Sequence, residues 1–145
     1  LDVKGRLAVP SRYRDRLCED CGGKLIATIS LMYACLVVYP LPDWQDIEDN
    51  LKALPAFDTQ AQLIRHLVIG RAADLELDGQ GRVLLPQALR EFAGLTKRVT
   101  MVGQGRNFEL WDDTAWSLWC REQLQRVQEG TLLREQSPAL GALVL

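Results

Sequence analysis

The sequence predicts an α+β fold assembled from two copies of one small unit, and three observations lead there. First, Leu77-Asp78-Gly79-Gln80-Gly81-Arg82-Val83-Leu84-Leu85-Pro86 repeats Leu1-Asp2-Val3-Lys4-Gly5-Arg6-Leu7-Ala8-Val9-Pro10 with Leu, Asp, Gly, Arg and Pro recurring in place, and Arg90 over Arg14 and Glu91 over Asp15 extend the match. A repeat inside one chain means that one supersecondary unit has been used twice. Second, both copies read in the same order: strand, tight turn, strand, helix. Third, a unit of that size buries too little apolar surface to stand alone. Two copies in one chain therefore suggest interleaved hairpins around a pseudo-two-fold axis.

The chain of 145 residues, 48% of them hydrophobic, is long enough for one ordinary domain with a core. No apolar run reaches membrane-spanning length and no secretory leader pattern is present, so a soluble intracellular protein is the default expectation. The net charge of −2 is unusual for a nucleic-acid binder. Its distribution matters more than its sum. Residues 1–16 hold five basic side chains against two acidic ones, and the remainder holds twelve against seventeen.

In order along the chain, Leu7 to Val9 form a short strand closed by Pro10, and Ser11 is a candidate N-cap for a helix to about Leu17, stopped by Gly22-Gly23. Lys24 to Ser30 and Cys35 to Tyr39 are apolar, partly β-branched runs that read as a strand pair. Asp43 is a candidate cap for a helix from Trp44 to about Leu54, with Trp44, Ile47, Leu51 and Leu54 as one apolar stripe and Pro55 as its end. Asp58 or Thr59 caps the next helix, where Leu63, Ile64, Leu67 and Val68 form the expected buried face and Gly70 the left-handed stop. In the second copy, Leu75 and Leu77 alternate with Glu76 as in a half-buried strand. Pro86 fits the first turn of a helix to about Ala93. Arg98 to Val102 and Asn107 to Trp111 make a second strand pair, followed by a helix capped at Asp112 or Asp113 in which Trp116, Trp119 and Leu124 face inward. Residues 71–77 enter the second turn without a counterpart before Leu1, so an entering strand of the first copy is expected to be missing. The expected organisation is a first repeat over 1–54, a connecting helix over 55–70, a second repeat over 71–128 and a tail over 129–145. The apolar end, Pro138 to Leu145, suggests docking against a neighbouring subunit.

The turns carry the functional signal. Gly5 and Gly81 supply the positive φ that a sharp reversal needs. Asp2 and Asp78 can accept backbone N–H bonds, with Gly79 beside the second, and Arg6 and Arg82 lie four residues on. Such a pair either staples the turn or aims the arginine outward. A turn has no need of a cation at its tip, yet these tips hold Lys4 and Arg6 in one copy and Gln80 and Arg82 in the other. Those are the side chains that read guanine and adenine edges or hold phosphates. Arg12 and Arg14 on the following helix either extend this basic surface or form a solvated face.

Other chemistries find little support. Cys18 and Cys21 form a single C-x-x-C with no second pair, so reduced structural thiols are expected rather than a metal or redox site. His66 lacks a catalytic partner and reads as a surface or interface residue. Gly79-x-Gly81 and Gly103-x-Gly105 lack the third glycine and the β-α-β setting of a dinucleotide site. No enzyme, cofactor or small-molecule substrate is expected from spacing.

Leu1-Asp2-x-Lys4-Gly5-Arg6-Leu7-x-Val9-Pro10, Cys35-Leu36-x-x-Tyr39-Pro40-Leu41-Pro42-x-Trp44, Asp78-Gly79-x-Gly81-Arg82, and Val102-Gly103-Gln104 with Phe108-Glu109-Leu110-Trp111 closely resemble the bacterial MraZ family, over nearly all of the chain up to about Trp116. That resemblance implies a tandem duplicated swapped-hairpin, AbrB-like β-barrel core with peripheral helices. It also implies a cytoplasmic, nucleoid-associated transcriptional regulator of the division and cell-wall gene cluster. Such a protein binds short direct repeats in promoter double-stranded DNA as a ring-shaped homo-oligomer. The alternative on the same fold is an antitoxin-like or scaffolding module that holds protein partners. Gln80 stands where the first copy has Lys4, so the two tips need not contact DNA equally.

Overall fold

In the computed structural model, which describes residues 1–130, the strands that follow the two turns pair with each other. β1 (Arg6–Ala8) and β5 (Arg82–Leu84) run antiparallel with Arg6 opposite Leu84, Leu7 opposite Val83 and Ala8 opposite Arg82. Leu7 and Val83 are repeat equivalents, so this pairing maps onto itself and the pseudo-two-fold passes between them. Two bonds extend the ladder with the same symmetry: the Val9 N–H donates to the Gly81 carbonyl at 3.0 Å and the Leu85 N–H to the Gly5 carbonyl at 2.9 Å.

The remaining strands form one antiparallel sheet in the order β4-β2-β3-β7-β6: β4 (Ala73–Glu76), β2 (Lys24–Ile29), β3 (Leu36–Pro40), β7 (Phe108–Asp112) and β6 (Val99–Gly103). The second copy's entering strand thus pairs with the first copy's β2, Leu75 opposite Leu25. The turn at 78–81, closed by the Asp78 N–H on the Arg82 carbonyl at 2.8 Å, therefore passes the chain from one sheet to the other, and β4 does not ladder with β5. The closed barrel is not formed either. β1 and β5 are only three residues each and ladder only with one another, so among the described residues no strand bridges the ribbon to the sheet.

Alternation in the sheet divides two cores. Leu25, Ala27, Ile29, Leu36, Val38, Phe108 and Leu110 meet Leu7, Val9, Val83 and Leu85 of the ribbon. Leu17 of α1 (Ser11–Cys21) and Leu89 of α4 (Gln87–Phe92) join that cluster. On the opposite face Ile26, Trp44 and Val68 gather Tyr39, Ile47, Leu51 and Ile64, placing α2 (Leu41–Lys52) and α3 (Thr59–Val68) there. Buried Thr28 donates its hydroxyl to the Val68 carbonyl at 2.6 Å, tying α3 to β2.

Several helix boundaries differ from expectation for local reasons. Pro10, Pro40 and Pro86 hold the residues before α1, α2 and α4 at φ near −55°, −54° for Pro10, −55° for Pro40 and −58° for Pro86, with no side-chain cap bond. Ser11 and Asp43 consequently lie inside their helices, and Pro86 precedes its own. Asp58 does cap α3, accepting the Ala61 N–H at 3.0 Å. Within α3, Ala61 and Val68 are buried, whereas Leu63 and Leu67 are exposed, because the helix meets α2 and the sheet along a narrower stripe than four leucine-type residues would fill. Gly70 does not adopt the left-handed conformation; Ile69 ends the helix with right-handed backbone.

Leu1–Asp112 form one compact unit and a second begins at Asp113. Among the described residues, its helix α5 (Asp113–Gln128) has no buried residue: Trp116 and Trp119 are half-buried and Leu124 is exposed. Trp116 and Trp119 stack on each other with centroids 5.5 Å apart. The apolar stretch 138–145 lies outside the described residues. No helix among the described residues is long and apolar enough to cross a membrane.

Candidate nucleic-acid interface

Each turn is built around its aspartate. Asp2 Oδ1 accepts the N–H groups of Lys4 and Arg6, both at 2.9 Å, and Oδ2 accepts Arg6 Nε at 2.8 Å. Asp78 repeats the pattern with the N–H groups of Gln80 at 2.8 Å and Arg82 at 2.9 Å, and with Arg82 Nε at 3.1 Å. Three donors favour the ionised carboxylate. The Arg6 N–H is the chief cause that holds the Asp2 carboxyl below its usual 3.8, at about 2. Asp78 is lowered in the same way, chiefly by the Arg82 N–H. Gly5 and Gly81 adopt φ of 85° and 72°, as the reversal requires.

The aspartate holds each arginine through Nε, which leaves the terminal Nη pair for an outside acceptor. Leu7 and Val83 point into the core, so Arg6, Ala8, Arg82 and Leu84 share the outward face of the ribbon. In the observed register Arg6 and Arg82 are diagonal neighbours, with Cα atoms ~7–8 Å apart by sheet geometry. The two arginines therefore lie on one face related by the pseudo-two-fold, not on two separate fingers. Lys4 and Gln80 lie in the turns at opposite ends of the ribbon. Four residue steps separate the paired positions 5/85 and 9/81, an interval of about 14 Å.

Arg14 is placed differently from the expectation of a surface contact. Its Nη2 donates to the Val9 carbonyl at 2.9 Å, its Nε is buried with no hydrogen-bond partner, and it lies against Gly81 of the other copy. Arg90 is its counterpart, with Nε donating to the Leu85 carbonyl at 3.0 Å and its guanidinium covering Gly5. Each copy's helix thus supports the other copy's turn through an arginine. The recurrence of Arg14 as Arg90, four residues after each proline, was the available signal for this role. Arg12 remains exposed, 4.6 Å over the Tyr13 ring, and Tyr13 meets Phe108 edge-on at 4.8 Å.

Val3 at the first tip is almost wholly exposed, and Gly79 at the second is open, with nothing within 4 Å of where a Cβ would stand. Cys18, Cys21, Cys35 and Cys120 are free thiols, and Cys21 Sγ donates to the Leu17 carbonyl at 3.0 Å. No metal-holding cluster occurs among the described residues. His66 is exposed, its Nδ1 2.7 Å from the Gln62 carbonyl, which suits a surface position. A cleft of about 490 Å³ opens on the α2–α3 face of the sheet, lined in part by Leu31, Met32 and Tyr33 of the β2–β3 loop.

A family model described as "MraZ protein, putative antitoxin-like" matches twice, over residues 1–67 and 68–133. Among curated proteins, the "Transcriptional regulator MraZ" of Thioalkalivibrio sulfidiphilus is 48% identical over 141 residues, covering 94% of this chain and 93% of that protein. The protein of the same name from Pseudomonas aeruginosa is 50% identical over 129 residues, 89% of this chain and 85% of its own length. That from Alkalilimnicola ehrlichii is 55% identical over 116 residues, 80% of this chain and 77% of its own.

Proposed function

The chain belongs to the MraZ family, and from that premise we propose that it is a sequence-specific DNA-binding transcriptional regulator in which the β1–β5 ribbon enters the major groove. The observation that carries this reading is the outward face on which Arg6 and Arg82 sit diagonally, each held by an aspartate through Nε. A two-stranded ribbon fits the major groove, and an arginine with a free Nη pair can bond guanine O6 and N7 together. Lys4 and Gln80 extend the contact at the two ends, Lys4 to phosphate or guanine and Gln80 to adenine or phosphate. Arg12 adds a phosphate contact from α1, while Arg14 acts indirectly by supporting the turn at Gly81.

The proposal includes the tandem swapped-hairpin relationship to AbrB-like domains, for which β1–β5 and β2–β4 pairing across the copies is the support. It also includes assembly into a ring that binds tandem repeats in the promoter of the division and cell-wall cluster. One ribbon with a modest cationic face binds weakly against an acidic whole. Several on one ring add through effective concentration, which offsets the net charge. Exposed Leu31, Met32, Phe57 and Leu63 are apolar surface that a second copy could cover.

The test is titration of labelled duplexes from the region upstream of the chain's own gene, at two salt concentrations. The intact chain is expected to prefer that region, with affinity falling steeply as salt rises. Arg6→Ala and Arg82→Ala should each remove about 1–3 kcal/mol of discrimination with oligomer mass unchanged. Equal affinity of Arg6→Ala and the intact chain for the preferred duplex would defeat the role given to the ribbon.

A further inference from the structure

We infer that Leu84 is a specificity-determining residue that reads the 5-methyl group of thymine, beside a base pair contacted by Arg6. The inference rests on the proposed DNA reading and adds to it what the ribbon recognises besides guanine. Alternation makes Leu84 outward-facing: Val83 and Leu85 are 3% and 1% exposed, whereas Leu84 is 59% exposed. A single exposed leucine is ordinary on a protein surface and by itself means nothing. This one stands on a ribbon tied at both ends, at Val9–Gly81 and Leu85–Gly5, and directly across from Arg6. Its neighbours on that face are Arg6, Ala8 and Arg82.

Directly opposed residues on a sheet face have Cβ atoms about 4.5–5.5 Å apart. When Arg6 engages one base pair, Leu84 therefore falls on an adjoining one, about 3.4 Å along the strand. In the major groove the apolar feature that a leucine can cover is the thymine methyl, since the other groups exposed there are hydrogen-bond donors and acceptors. The pseudo-two-fold assigns Ala8 to the equivalent place beside Arg82, and its shorter side chain cannot reach as far. The ribbon is thus symmetric in its guanidinium groups and asymmetric in its apolar reach, so a single site has a direction.

The experiment uses the full chain. Duplexes are enriched from a randomised pool, and each thymine of the preferred sequence is replaced in turn by deoxyuridine, which removes only the methyl. Binding is followed by fluorescence anisotropy at fixed salt. At one thymine next to a guanine, the replacement should weaken binding about fourfold, the worth of one buried carbon. Leu84→Ala, at an exposed site, should bind the thymine and uracil duplexes equally. Indifference of the intact chain to every replacement would overturn the inference, as would methyl sensitivity that persists in Leu84→Ala, and in both cases loss of preference in Arg6→Ala would still uphold the DNA reading. Enrichment of no duplex at all would overturn the DNA reading and this inference with it.

Discussion

Replacing Gly5 with alanine tests the cross-copy arginine directly. The backbone at Gly5 has φ of 85°, which costs an L-residue about 1–2 kcal/mol. An added Cβ would also stand 2.8 Å from both Cζ and Nε of Arg90, so that side chain must move. Arg90 is held by the Leu85 carbonyl at 3.0 Å, and losing a hydrogen bond from a charged donor costs about 1.5–3 kcal/mol. The expected destabilisation is therefore about 2.5–5 kcal/mol. Gly22→Ala isolates the first contribution, since Gly22 has φ of 62° and nothing within 4 Å of its would-be Cβ. Urea unfolding followed by tryptophan fluorescence suits the measurement, because Trp44 and Trp111 are both buried. Protein concentration is held constant so that any association affects all variants alike. In an Arg90→Ala background, Gly5→Ala should cost no more than Gly22→Ala, the signature of a coupled pair. If Gly5→Ala is no more damaging than Gly22→Ala in the intact chain, the supporting role of Arg90 is refuted.

Two further outcomes follow from the same geometry. The Asp2 carboxyl is held at about 2, below its ordinary 3.8, so the stabilisation it gives the first turn is complete above the ordinary value and is lost progressively as the pH falls from there through about 2; carbon NMR of the carboxyl across that window checks it, and a midpoint near 3.8 would contradict the three-donor turn. Thr28→Val keeps the shape but leaves the buried Val68 carbonyl without its donor at 2.6 Å, which should lower the unfolding free energy by about 1–3 kcal/mol in the same urea assay.

The pseudo-two-fold was legible because the repeat is written in the residues themselves, but any equivalent pair could lie on the axis, and the observed register is what places it between Leu7 and Val83. The positive φ at Gly5 and Gly81 and the aspartate staple were legible for a local reason: both depend on residues within a five-residue window. What escaped was non-local. Leu75 alternates as a strand residue should, yet nothing nearby says whether its partner lies across the turn or in the other copy, and it is opposite Leu25. Arg14 reads as a surface cation until the other copy's Gly81 is placed against it. Leu63 and Leu67 sit at helical spacing, but the width of the contact with α2 and the sheet decides how many of α3's apolar residues are covered. Pro10 and Pro40 displaced the expected caps by one to three residues, since a proline at φ near −55° can precede a helix with no side-chain cap.

Comparing the two copies position by position separates packing from recognition. Inward or supporting positions correspond in kind: Leu7 with Val83, Val9 with Leu85, Gly5 with Gly81, Arg14 with Arg90. Their environments, reciprocal hydrogen bonds included, are related by the pseudo-two-fold, so the same physical demands fall on each member. Outward positions differ in kind: Val3 against Gly79, Lys4 against Gln80, Ala8 against Leu84. Arg6 and Arg82 are alike in both copies although they face outward, with side chains 33% and 28% exposed. An exposed ion pair of this sort is worth about 0–1 kcal/mol to the fold, too little to single out arginine for stability. What both arginines share is a pre-set orientation, Nε held and Nη offered, and pre-ordering a binding group lowers the entropy that association must overcome. The symmetric pair then supplies grip, and the unlike residues around it supply the direction in which a site is read.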